Sequence, residues 1–139
     1  MNKLYPIILL LFLSSCVTSN QVGLYNYKPV SENRVFHEGY SFNENGNIII
    51  KRDSGFFGSA LDAEIAINNN RFFEIFPGEY FRFNLEPGTY FFTVISGKEG
   101  SFGPPYVRSL KIETTRDRNV IIRVFPMPMQ GMVIEEILE

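Results

Sequence analysis

Glu64, Glu74, Glu79 and Glu86, His37 with Glu38, and Tyr80, Tyr90 and Tyr106 are the side chains whose types and spacing could do chemistry. Two carboxylates about 5 to 10 Å apart are the apparatus of glycoside hydrolysis, so a pair drawn from the four glutamates would suit a polymer hydrolase. Glu64 and Glu79 fall on or beside outward-facing strand positions, where a solvated face is the simpler expectation. His37 beside Glu38 has the elements of a general base. No serine or cysteine nucleophile stands in a recognisable setting nearby, so His37 is expected in a surface loop. The three tyrosines could stack on sugar rings as in a carbohydrate-binding module, but tyrosine is also an ordinary strand residue. One cysteine cannot close an intramolecular disulfide, and one histidine cannot build a zinc site. No Asp-x-Asp-x-Asp-Gly calcium loop occurs. No catalytic residues, metal ligands or cofactor are therefore expected, and the chain is not read as an enzyme.

The elements that must position these residues are strands. A chain of 139 residues has room for one domain, and 45% hydrophobic content with 14 Phe and 7 Tyr favours a pleated, half-buried architecture. The net charge is −2 from 13 basic and 15 acidic residues, which leaves no basic surplus for phosphates and excludes nucleic acid as an expected partner.

The N-terminus reads as an address. Met1-Asn2-Lys3 is followed by an almost wholly apolar run from Leu4 to Leu13. As a helix those ten residues would span about 15 Å, half of a bilayer's hydrocarbon core, which suits a signal peptide and not a spanning helix. Directly behind comes Leu13-Ser14-Ser15-Cys16, which resembles the bacterial lipobox. The resemblance implies a thioether-linked diacylglycerol on Cys16, cleavage after Ser15 and acylation of the new amine. In Gram-negative lipoproteins an aspartate after the cysteine retains the protein in the inner membrane. Val17 in that place implies the outer membrane, with the domain facing the periplasm by default. Residues 1–15 are thus expected as a signal peptide and 16–45 as a lipidated cysteine and a tether holding the domain off the lipid. Tyr25, Tyr27, Val30, Val35 and Phe36 are too apolar for pure linker, so part of the tether is expected to lie against the domain.

Residues 46–139 carry the domain. Ile48-Ile49-Ile50 reads as a first core strand that ends where Lys51 and Arg52 begin. Asp62 to Asn68 alternates, with Ala63, Ile65 and Ile67 on one face. Asn68-Asn69-Asn70 suits a tight hairpin, because Asn tolerates positive φ. Arg71 to Phe76 is apolar on both faces apart from Glu74, as a central strand would be. After Pro77-Gly78, strand Tyr80 to Leu85 turns Phe81, Phe83 and Leu85 inward. The Pro87-Gly88 turn leads into Tyr90 to Ile95, again apolar on both sides. A loop from Ser96 to Pro105 carries Phe102, and strands follow over Tyr106–Glu113 and Arg118–Phe125. Pro126-Met127-Pro128-Met129 is expected to interrupt the sheet, and Gly131 to Leu138 to resume either as an edge strand, the favoured reading, or as a short C-terminal helix. Seven to eight strands without an amphipathic helix make an all-β fold, a small antiparallel β-sandwich.

The stretch from Ile48 to Val94 resembles the small bacterial domain family DUF2846 and, more loosely, the PEGA-type and transthyretin-like sandwiches. The residues that carry the likeness are Ile50-Lys51-Arg52, Ile65-Ala66-Ile67-Asn68, Gly78-Glu79-Tyr80 and Leu85-Glu86-Pro87-Gly88-Thr89-Tyr90. A histidine or other ring often stands in these families where this chain has Tyr90, so no role attached to that histidine carries over. Domains of this kind occur in lipoproteins, and the resemblance implies a small β-sandwich. The functional expectation is a lipid-anchored module of the cell envelope that binds or scaffolds an envelope protein or glycan. Phe56, Phe57 and Phe102, set between loop glycines, are its candidate partner contacts, the alternative being that they fold back as core plugs.

Overall fold

The computed structural model describes residues 24, 26–55, 60–97 and 105–138. Among the described residues, nine strands form two sheets. The first sheet has the order β1 (Lys28–Pro29), β5 (Glu79–Phe83), β2 (Ile48–Arg52), β8 (Val120–Met127) and β9 (Gly131–Ile137). The second has the order β4 (Asn70–Glu74), β3 (Glu64–Ile67), β6 (Gly88–Ser96) and β7 (Tyr106–Thr114). The domain is an all-β sandwich, and most pairs are antiparallel. The exceptions are β1 beside β5 and β2 beside β8, which run parallel.

Alternation decides what the sheets bury. Ile48, Ile50, Phe81, Phe83, Val120, Ile122 and Val124 face Ile65, Ile67, Phe92 and Val94 across the sandwich, all buried in one core. Phe72, Phe73, Phe81 and Phe83 form an aromatic cluster, with Phe73 and Phe81 stacked at a ring separation of 4.8 Å. The Asn hairpin forms as its chemistry requires: Asn68 and Asn69 adopt φ of 50° and 66° between β3 and β4.

Three expectations are corrected. Strand β2 does not end at the charges. It runs on through Lys51 and Arg52, which are 0% and 1% exposed. Arg52 points into the sandwich, where its guanidinium donates to the carbonyls of Ile75 (2.8 Å) and Leu61 (2.6 Å), turning two connecting loops into ligands of one buried cation. Strand β4 is not central but lies at the edge of its sheet. Phe72 and Phe73 are both buried there for two reasons. A register shift opposite Ile65 and Ala66 twists the pair, and the N-terminal arm covers the edge, with Val35 bridging Phe73 and the Phe36 amide donating to the Phe72 carbonyl at 2.7 Å. Finally, β8 continues through Pro126 and Met127, which pair with Met132 and Gly131. The missing donor of Pro126 is tolerated because β2 has already ended, its last pair being Arg52 with Val124.

The segment read as a tether lies on the sandwich from Tyr27 onward. Lys28 and Pro29 extend the first sheet, Val30 is buried, and a 3-10 turn at Glu32–Arg34 leads to the β4 edge. Tyr40 then stands edge-on to Phe72 and Phe83, and Phe42 edge-on to Phe81. The arm rejoins the sheet tightly at Gly46, where a Cβ would sit 2.4 Å from the Phe83 carbonyl oxygen. The folded unit therefore takes in residues 26–45 as well.

Replacing Arg52 by Met strands two buried carbonyls and removes the cation facing Asp62, Glu79 and Glu74. The loss should be about 3 kcal/mol or more in urea denaturation. Arg71→Met, at an exposed ion pair with Glu64, should leave the midpoint nearly unchanged. Equal, small effects from the two changes would remove Arg52 from its role.

Candidate functional site

The N-terminal arm builds two features on the first sheet. The first is polar and lies on the sheet's outer face. Register places Lys51 directly beside Arg123, and Arg123 beside Glu135. Asp53, just beyond the end of β2, accepts hydrogen bonds from Arg123 Nε at 2.8 Å and from the Tyr27 hydroxyl at 3.2 Å. Arg123 also reaches Glu135 at 3.1 Å, and its guanidinium lies 4.5 Å from the centre of the Phe125 ring. Lys51 Nζ sits 5.3 Å from the centre of the Tyr27 ring. Burial pulls the Lys51 amine below its ordinary range, with Asp53 opposing and Arg123 reinforcing that shift. A lysine of lowered pKa is the kind used for catalysis. Here it is completely covered, so the arrangement fastens the arm to the sheet.

The second feature is a cleft of about 340 Å³ between the arm and β5. Val30, Val35, Phe42 and Phe81 give it apolar walls, and Glu32, His37, Glu38 and Tyr40 contribute polar groups. The His37 Nδ1 accepts from the Gly39 amide at 3.0 Å, so the neutral ring carries its proton on Nε2. Among the described residues, no Lys or Arg lines the cleft, and the carboxyl groups on it are those of Glu32 and Glu38. Such a site suits a small group with an apolar body and a neutral or cationic head. The volume lies at the small end of the roughly 300–1,000 Å³ typical of ligand pockets.

The other residues singled out by sequence are dispersed. Glu79 is held two-pronged by Arg34 at 2.8 and 2.6 Å and also accepts from the Phe76 amide at 2.9 Å. Glu64 is held by Arg71 at 2.6 Å through both carboxylate oxygens. Glu64 and Glu74 do stand opposite each other across β3 and β4. Glu86 contributes its carbonyl, which accepts from the Tyr90 and Thr114 hydroxyls. Tyr90 and Tyr106 lie towards opposite ends of the β6–β7 hairpin, paired with Ile112 and Ser96 respectively, and Tyr80 is in the other sheet. The three rings do not form one platform. Cys16, Val17, Phe56, Phe57 and Phe102 lie outside the described residues. Among the described residues, no three His, Cys, Asp or Glu side chains cluster to hold a metal ion.

Asp53 and Arg123 were not signalled by sequence, and Tyr27 only as a residue too apolar for linker, because the three are distant in the chain and meet only when the arm folds back. His37 was singled out, but its position on the cleft was not. No protein-family model, curated protein or solved structure matches the chain.

The Tyr27 phenol is pushed up to about 12 from an ordinary 10, first by burial and then by the Asp53 carboxylate. A folded-state value above the unfolded one favours folding below pH 10, and that contribution is lost as pH rises from 10 towards 12. Denaturation midpoints of Tyr27→Phe should therefore fall less steeply than wild type over that window. Asp53→Asn should bring the phenol only part of the way back. Parallel curves for wild type and Tyr27→Phe would show the phenol to be unperturbed.

Proposed function

We propose that the chain is a lipid-anchored lipoprotein of the bacterial cell envelope, carrying a non-catalytic binding or scaffolding domain of the DUF2846-like kind. The observation that carries the reading is Leu13-Ser14-Ser15-Cys16 set directly behind the apolar run from Leu4. Acyl chains on Cys16 would hold the protein, each buried methylene contributing about 0.8 kcal/mol. Val17 directs it to the outer membrane, facing the periplasm. The binding role is supported by the cleft beside His37, whose apolar walls and acidic groups fit a side chain or small ligand of apolar body and cationic head. The partner class is an envelope protein or glycan, with Phe56, Phe57 and Phe102 as further contacts. A non-catalytic role is supported by the engagement of Glu64 and Glu79 with arginines.

Labelled palmitate fed to producing cells should be incorporated into the wild-type chain and not into Cys16→Ser. Unchanged labelling of that variant would refute the anchor.

A further inference from the structure

Among the described residues, one end of the sandwich carries several exposed apolar side chains. The β8–β9 turn is closed by the Gln130 amide donating to the Met127 carbonyl at 3.1 Å, with Pro128 and Met129 at its corners. Met129 sits at φ 63°, a position that glycine or asparagine fills with least strain, yet its side chain is 98% exposed. On β7 at the same end, Tyr106 is 49% and Val107 52% exposed, and Tyr106 packs so closely on Gly131 that a Cβ there would lie 2.6 Å from its ring. A shallow depression of about 220 Å³ lies between Leu61, Tyr106 and the Pro126–Met129 turn.

The arm begins at this same end. Strand β1 runs parallel to β5, which starts where β2 finishes, so the residues before Lys28 leave beside Asp53. Asp53 in turn donates its amide to the Val124 carbonyl, three residues before Met127. The eleven residue-to-residue steps from Cys16 to Tyr27 reach at most about 40 Å even when fully extended. A chain held by lipid on Cys16 thus has its tether leaving the domain at the end bearing Met129.

We propose that this apolar end docks on the lipid surface, with Met129, Met127, Tyr106 and Val107 entering the headgroup region, so that the domain stands on the membrane instead of hanging free of it. Tyrosine at such a boundary keeps its hydroxyl wet and its ring in the apolar layer. The proposal rests on the anchor reading for its orientation, and its test separates the two. The chain from residue 17 onward, bearing an N-terminal histidine tag, is held on phosphatidylethanolamine–phosphatidylglycerol vesicles by a nickel-chelating lipid in place of the acyl chains. A polarity-sensitive fluorophore is placed at Met129 (M129C), at Val107 (V107C) or, at the opposite end, in the exposed β7–β8 turn (D117C). The first two should shift to shorter wavelength and be quenched by brominated lipid, and the third should not. Adding Met129→Glu to the V107C chain should reverse its shift while leaving the melting temperature unchanged. Water-like emission at both apolar positions, or an equal shift at all three, would overturn the docking. A shift that appears without vesicles and grows with protein concentration would assign the surface to a second copy and also overturn it. Docking by the tagged chain, together with failure of Cys16 to take up palmitate, would leave the surface standing and the anchor refuted.

Discussion

A fully buried guanidinium with its ligands fixed in place is the constraint on which this fold turns. Removing Arg52 from water is costly unless most of its donors find partners. The Ile75 and Leu61 carbonyls supply two of these, and Asp62, Glu79 and Glu74 contribute opposing charge. That requirement fixes the path of the loops on either side of β3 and β4. The Arg52 carbonyl extends the same control by accepting from the Gly78 amide, which places the turn into β5. Its neighbour Lys51 imposes the complementary demand on the outer face, met by Tyr27 and Asp53. Two successive residues of one strand thereby tie together both layers and the N-terminal arm.

The arm is the structural novelty relative to a plain meander. By pairing with β5 and capping the β4 edge, it removes two exposed ladders that would otherwise invite association. It also forms one wall of the cleft and sets the direction from which the chain arrives. On the proposed reading, binding surface and membrane orientation would both follow from one local event, the docking of residues 27–36. A lipoprotein built this way would stand at a defined angle to its membrane, with the cleft held at a set height.

Much of the fold was legible because strand alternation and turn chemistry are local. Phe81, Phe83 and Leu85, like Val120, Ile122 and Val124, announce a buried face by spacing alone, and the Asn triplet announces its hairpin. What could not be read depends on distant partners. Lys51-Arg52 looked like a strand end because charges ordinarily seek water, and their burial needs ligands from Tyr27 to Ile75. Phe72-Phe73 looked central because the cover over their edge comes from Val35 and Phe36, far upstream. The parallel pairing of β2 with β8 joins segments some seventy residues apart, which no local pattern encodes. The candidate site was less legible still: His37 was visible as a residue, but its cleft exists only through the folded arm.

The central claim is that the arm belongs to the folded domain, and hydrogen exchange tests it most directly. The amides of Lys28, Val30 and Phe36 donate to the carbonyls of Gly78, Tyr80 and Phe72 at 2.9, 2.9 and 2.7 Å. They should exchange slowly, in step with the β5 amides and well behind exposed loops. Exchange of all three at the rate of an unstructured peptide, with β5 still protected, would contradict the account.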